Sequence, residues 1–208
     1  KEVFVPGNVV VTEIMVDPKF VDDKDGEWIE LYNPSDVPMN INGWWLKDTG
    51  INKHKILSKG AVLVPPKGYV VLGGSADPSA NGGLVVAYSW NKKGVVPTFS
   101  LANKFSDDVV LVWKDIVIDK VSYTPQVNDV GFPIEEGKSL SLDAAKLNSV
   151  ANDKAVNWCP GKELYGPALL GNKGSPGKTN PNCTNPDNGH RWRSDPVELS
   201  VGTHEFRF

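Results

Sequence analysis

The chain has 208 residues, a formal charge of −3, 40% hydrophobic and 23% charged residues. That suffices for one packed domain and excludes a wholly disordered chain. No apolar run approaches the length of a membrane span, and a sequence pI of about 5.6 argues against a general nucleic-acid binder, whose phosphate contacts need a basic face.

Short apolar runs broken by turn residues predict strands near 9–16, 27–33, 43–47, 62–72, 84–88, 109–113, 116–123 and 138–142. The first is apolar on both faces. The second alternates, with Ile29 and Leu31 on one face and Trp28, Glu30 and Tyr32 on the other. Asn33-Pro34-Ser35-Asp36 predicts a turn, and Asn42-Gly43 leads into the strand of Trp44 and Trp45. The runs at 62–64 and 69–72 stop at Pro65-Pro66 and Gly73-Gly74, and Lys114-Asp115 is a tight hairpin turn. Helical periodicity is nearly absent; residues 143–150 have room for one turn. The pattern predicts an all-β antiparallel sandwich or barrel. Ile29, Leu31, Trp44, Leu72, Leu111, Val121 and Leu140 are its expected core.

The expected domain covers 1–178 and a linker and tail cover 179–208. Residues 180–189 are rich in Pro, Asn, Thr and Asp, as a linker is. Beyond them, Arg-Ser, Asp-Pro, Glu-Leu, Gly-Thr and Glu-Phe pairs are those of a translated cloning linker; the alternative is a natural last strand in which Val197, Leu199 and Val201 alternate with polar residues. His190 and His204 lie there and receive no role. A chain that begins at Lys1 is expected to have been processed or trimmed.

Catalytic patterns are missing from the sequence. His54 is the single histidine of the body, it sits between Lys53 and Lys55, and no Gly-x-Ser-x-Gly elbow accompanies it; it reads as a dispensable surface histidine. Glu13 and Glu30 interrupt apolar strands and are expected to accept backbone hydrogen bonds or to face water. Asp22-Asp23-Lys24-Asp25-Gly26 resembles part of an EF-hand loop but lacks both terminal ligands. A looser calcium site using Asp17, Asp22, Asp23 or Asp25 stays open, with Asp107-Asp108 a weaker candidate. Cys159 and Cys183 bracket a segment rich in Gly and Pro. A disulfide between them would pin it and would fit an oxidising compartment; two separately buried thiols are the alternative.

An ordered set of fragments carries a family resemblance. It includes Val10-Val11-Thr12-Glu13-Ile14-Met15, Gly26-Glu27-Trp28-Ile29-Glu30-Leu31-Tyr32-Asn33 and Ile41-Asn42-Gly43-Trp44-Trp45-Leu46. Further pieces are Pro66-Lys67-Gly68-Tyr69-Val70-Val71-Leu72, Phe99-Ser100-Leu101, Val121-Ser122-Tyr123, Gly137-Lys138-Ser139-Leu140, Asn157-Trp158 and Gly174-Ser175-Pro176-Gly177. Together they resemble the bacterial branch of the lamin-tail domain, from about Val9 to Gly177, with an apparent insertion between Gly73 and Val95. The resemblance implies an immunoglobulin-like sandwich and a non-catalytic binding or spacing module of a secreted or cell-surface bacterial protein. Its expected ligand is a protein or a carbohydrate, with Trp90 and Trp113 as candidate sugar-stacking rings. The alternatives are a secreted hydrolase, or an accessory domain of one, and a nucleic-acid contact through Lys53, Lys55, Lys59, Lys92 and Lys93, which the overall charge opposes.

Overall fold

Period-two alternation forces most of these segments into strands with one face in a shared core. A computed structural model describes residues 3–91, 99–166 and 171–183. Its elements are β1 (Val10–Met15), α1 (Asp23–Gly26), β2 (Trp28–Tyr32), β3 (Met39–Asn40), β4 (Trp45–Lys47), β5 (Lys53–Lys55), β6 (Leu63–Val64), β7 (Tyr69–Gly73), β8 (Tyr88–Ser89), β9 (Asp107–Trp113), β10 (Ile116–Tyr123), β11 (Leu140–Leu142) and β12 (Trp158–Pro160), with two 3₁₀ turns at Ala144–Lys146 and Ala155–Asn157.

The strands form a six-stranded sheet, β12-β11-β1-β2-β7-β8, and a four-stranded sheet, β10-β9-β4-β5, with β3 and β6 paired beside them. All pairs are antiparallel except β7–β8. The two larger sheets make an immunoglobulin-like β-sandwich. Ile14, Ile29, Leu31, Leu72 and Leu140 of the first sheet face Leu46, Leu111 and Val121 of the second, with Trp44 filling the space between; all are buried. The seven expected core residues are among them.

Three expectations need correction. The segment 62–72 is two strands, β6 and β7, in different pairings, because Pro65 and the turn at Lys67-Gly68 break the ladder. The segment 84–88 yields only Tyr88–Ser89, running parallel to β7. The boundary after residue 178 falls inside the packed body: Asn180 is buried, and its Nδ2 donates to the carbonyls of Thr12 and Leu142 at 2.7 and 3.0 Å. The histidines and strand expected in the tail, and Lys92 and Lys93, lie outside the described residues.

Cys159 and Cys183 form a disulfide with Cα atoms 5.6 Å apart. It ties the segment 171–183, a strap across the outer face of the six-stranded sheet, to edge strand β12. The closed loop of about 25 residues should stabilise the fold by roughly 3 kcal/mol. Reduced, alkylated protein is therefore expected to unfold at clearly lower urea concentration than oxidised protein, and unreduced protein should take up no alkyl label under denaturing conditions. Two labels found by mass on unreduced protein would contradict the bridge.

Candidate functional site

The six-stranded sheet is buried on both faces. A register shift between Val11 and Glu13 turns both Thr12 and Glu13 to the outer side, opposite Glu30 of β2. Glu13 and Glu30 are cross-strand partners and neither is exposed to solvent. Two carboxyl groups this close and this dry are costly unless donors surround them.

The donors come from β1, from β11 and the residue before it, and from the strap. Glu13 Oε1 accepts from the Ser139 hydroxyl, from Ser141 Oγ at 2.9 Å and from the Ser175 N–H at 2.9 Å. Glu30 accepts from Thr12 Oγ1 at 2.8 Å and from the Gly177 N–H at 2.7 Å. Ser175 Oγ lies 2.8 Å from Asn180 Oδ1 and 3.3 Å from Glu13 Oε2, so its one proton favours Asn180. Gly174 permits this approach: a Cβ there would come within 2.9 Å of Glu13 Oε1 and 2.8 Å of Ser139 Oγ. Burial raises the pKa of Glu13 against these hydrogen bonds, and burial plus the Glu13 charge raises that of Glu30 well above the usual carboxylate range. The expectation that these acids accept backbone hydrogen bonds holds, but neither lies on a wet face. Beside them Met15, Trp28, Val71, Leu84 and Tyr165 form a second apolar cluster, where Trp28 Nε1 donates to the Tyr165 hydroxyl at 2.9 Å.

The calcium candidates sit at one end of the sandwich around α1. Asp17, Asp22, Asp23 and Asp25 line an open cleft with Glu136 and Asn103. Asn103 Nδ2 donates to Asp17 Oδ1 at 3.1 Å and Asp23 Oδ2 at 2.9 Å, so those two converge. Asp22 and Asp25 instead pair with Lys24 Nζ, at 2.8 and 3.7 Å. Among the described residues no three His, Cys, Asp or Glu side chains are grouped to hold a metal ion. Asp17 is pushed up by burial and by the like charges of Asp23 and Glu136. Under the cleft Glu27 is buried, accepts the Leu101 N–H at 3.2 Å, and is pushed up to about 9, mainly by burial. Asp107 accepts the Ala102 N–H at 2.9 Å, and Asp108 is held by Ser122, Thr49 and Lys120, so that pair is engaged within the chain.

The two tryptophans are not free stacking platforms. Trp90 is 2% exposed and packs edge-on against Phe99, so its expected role as an exposed ring is corrected. Trp113 is half-buried: Phe4 meets it edge-on at 5.0 Å and Lys114 Nζ lies 4.3 Å from its ring centroid. Phe20 is an exposed aromatic ring at the cleft, 65% exposed, with Lys19 Nζ 5.2 Å from its ring centroid. The sequence named the neighbouring acids Asp17, Asp22, Asp23 and Asp25, but not that Phe20 among them would stay exposed, because that depends on where Ser79, Asn103 and Glu136 close the cleft. His54 lies in β5, half-buried, with Nε2 2.6 Å from the Tyr88 hydroxyl, which links β5 to the loop carrying β8.

Two outcomes follow. Glu13, Glu30 and Glu27 fold with pKa values above the ordinary value of 4.5, so their contribution is complete below about pH 4.5 and is lost as pH rises through the folded values, about 9 for Glu27. The melting temperature should therefore fall between mildly acidic and alkaline pH, measured by circular dichroism; a rise over that range would show that these acids fold ionised. Replacing His54 with Ala should cost about 1 kcal/mol through the lost Tyr88 bond, read by urea denaturation. An unchanged midpoint would restore the dispensable reading.

A lamin tail domain family model matches residues 3–125, more than half of the 208-residue chain. No curated protein matches the chain. The match spans β1 to β10 and stops before β11 and the strap. With the sandwich topology and the ordered fragments from Val10 to Tyr123, it is decisive: the chain belongs to the lamin tail domain family.

Proposed function

We propose that this chain is a non-catalytic binding or spacing module of a secreted or cell-surface bacterial protein. One observation carries the reading. The buried cross-strand acids Glu13 and Glu30 are closed under the strap and bonded to the chain's own hydroxyls and N–H groups. They hold the scaffold together and offer no path to a substrate. A glycoside hydrolase would need an open pair of carboxylates flanking a scissile bond. Membership of an immunoglobulin-like family supports the same reading, and the disulfide favours an oxidising compartment.

The ligand in this proposal is a carbohydrate or a protein, met at the cleft. Phe20 offers an exposed ring for stacking, and Asp17, Asp23 and Asn103 beside it offer acceptors and a donor for hydroxyl or ammonium groups. Calcium remains a proposal for the same acids, resting on the convergence of Asp17 and Asp23.

The test is binding of the purified domain to a glycan array and to bacterial surface protein extracts, with and without millimolar calcium. Phe20→Ala and Asp23→Asn should each weaken binding at least tenfold while leaving the melting temperature unchanged. Binding that survives both substitutions would move the ligand away from the cleft. Binding that requires calcium would support the metal proposal, and hydrolysis of an arrayed glycan would overturn the non-catalytic reading.

A further inference from the structure

The two sheets are joined by side-chain hydrogen bonds at the edge where β1 approaches β10. Both strands are irregular there, β1 between Val11 and Glu13 and β10 between Val117 and Asp119. Such bulges re-aim side chains out of the regular alternation. Asp119 of β10 reaches across to the other sheet, and its Oδ2 accepts the Val11 N–H at 2.6 Å. The same Oδ2 accepts from Asn152 Nδ2 at 2.7 Å. Asn152 Nδ2 lies 3.1 Å from the Val11 carbonyl, and the Asn152 carbonyl accepts the Trp158 indole N–H at 2.8 Å. One carboxyl thus gathers β1, β10 and the loop before β12. Asp119 is 3% exposed and Asn152 fully buried.

The acceptors here are unevenly served. Asp119 Oδ2 has two donors, whereas Asp119 Oδ1 and Asn152 Oδ1 are buried and meet no hydrogen-bond donor among the described residues. Both oxygens belong to groups that one N–H···O bond already holds together. What a carboxyl and an amide need to close a second bond is one hydrogen. A proton on Asp119 Oδ1 supplies it: the acid donates to Asn152 Oδ1 while the amide donates to Asp119 Oδ2. The opposite amide orientation would set oxygen against Oδ2 and lose the Val11 carbonyl contact.

We propose that Asp119 and Asn152 form a carboxylic acid–amide pair that staples the two sheets while the acid keeps its proton, and that losing this proton loosens the edge between β1 and β10. Burial is the main cause that pushes Asp119 up to about 7, against the hydrogen bonds from Val11 and Asn152 and the lowering influence of the nearby Lys120 N–H, which makes no hydrogen bond of normal geometry to either oxygen. The charge acting on it from the neighbouring loop is that of Asp153, which opposes ionisation too. β1 brings Val10, Val11 and Thr12, and β9 brings the register partner Leu111, none of them titratable. On its own strand the Lys120 ammonium is turned to Asp108, 3.1 Å away. The N-terminal segment is attached at the same edge: the Gly7 N–H donates to the Ile118 carbonyl at 2.7 Å, and Phe4 packs on Trp44 and Trp113. Loosening the staple would release that segment first.

The experiment is hydrogen exchange of the Val11 and Gly7 amides as protection factors across mildly acidic to alkaline pH, with a carbon-13 titration of the Asp119 carboxyl in the wild-type chain. The expected result is an Asp119 inflection near neutrality and a parallel loss of protection at Val11 and Gly7. In Asp119→Asn the new amide donates to Asn152 Oδ1 without a titrating proton. That variant should keep Val11 protected through alkaline pH and melt at or above the wild-type temperature there. An Asp119 inflection at the ordinary aspartate value of 3.8 would overturn the proposal, including the case of an ionised Asp119 served by a water molecule. So would an Asp119→Asn protein that folds but leaves Val11 unprotected at every pH. Should that variant not fold, the wild-type carbon titration alone decides.

Discussion

The structure depends on a cross-strand pair of glutamates buried in the middle of its larger sheet. Glu13 and Glu30 face each other across β1 and β2 on the side away from the main core. Burial disfavours both charges, and the Glu13 charge further disfavours that of Glu30; an unpaired buried carboxyl costs several kcal/mol. The chain answers with hydroxyls from Ser139, Ser141 and Thr12 and backbone N–H groups of Ser175 and Gly177. The strap is thus required by the acids it covers. Its composition follows, since Gly174 must pass within van der Waals reach of Glu13 and Trp28.

A strap with few apolar side chains has little to bury, so hydrogen bonds and one covalent link hold it down. Asn180 clamps it to the carbonyls of Thr12 and Leu142, and Cys183 ends it on β12. The larger sheet is therefore closed on both faces, by the second sheet on one side and by the strap and the Trp28–Tyr165 cluster on the other. Little of its central surface is left for a ligand. The loops at the end of the sandwich, around α1, carry the open polar cleft, as loops held on a rigid scaffold commonly do.

The same accounting separates structural polar groups from available ones. Glu13, Glu30, Asp107, Asp108 and Asp119 are each engaged by donors within the chain. Trp90 fills the core beside Phe99, and Trp113 is shared between Phe4 and Lys114. Asp17 and Asp23 also accept from Asn103, but they line an open cleft beside the exposed Phe20 ring, and recognition is proposed there. Family membership supplies the class of module, and this geometry supplies the place where its function is proposed.

Alternation in β2, with Ile29 and Leu31 against Trp28, Glu30 and Tyr32, was enough to place that strand and its core face from the sequence, because a pleated strand has a strict period of two. Pairs such as Asn42-Gly43 and Lys114-Asp115 marked turns for the same local reason, and two cysteines around a Gly- and Pro-rich segment made a bridge legible. Partners distant along the chain were not legible. Periodicity cannot tell that the polar face of β2 would be covered by residues 147 positions away, or that Asp119 would cross to Val11, because those contacts depend on how sheets and loops pack. Nor could it show which aromatic rings stay exposed. Trp90 and Phe20 both stand near turn residues in sequence, and only the folding of separate segments around them buried the first and left the second at the cleft. Local periods and turn chemistry wrote the strands and the sandwich; desolvation of buried acids, settled between distant segments, decided which polar groups became scaffold and which stayed open.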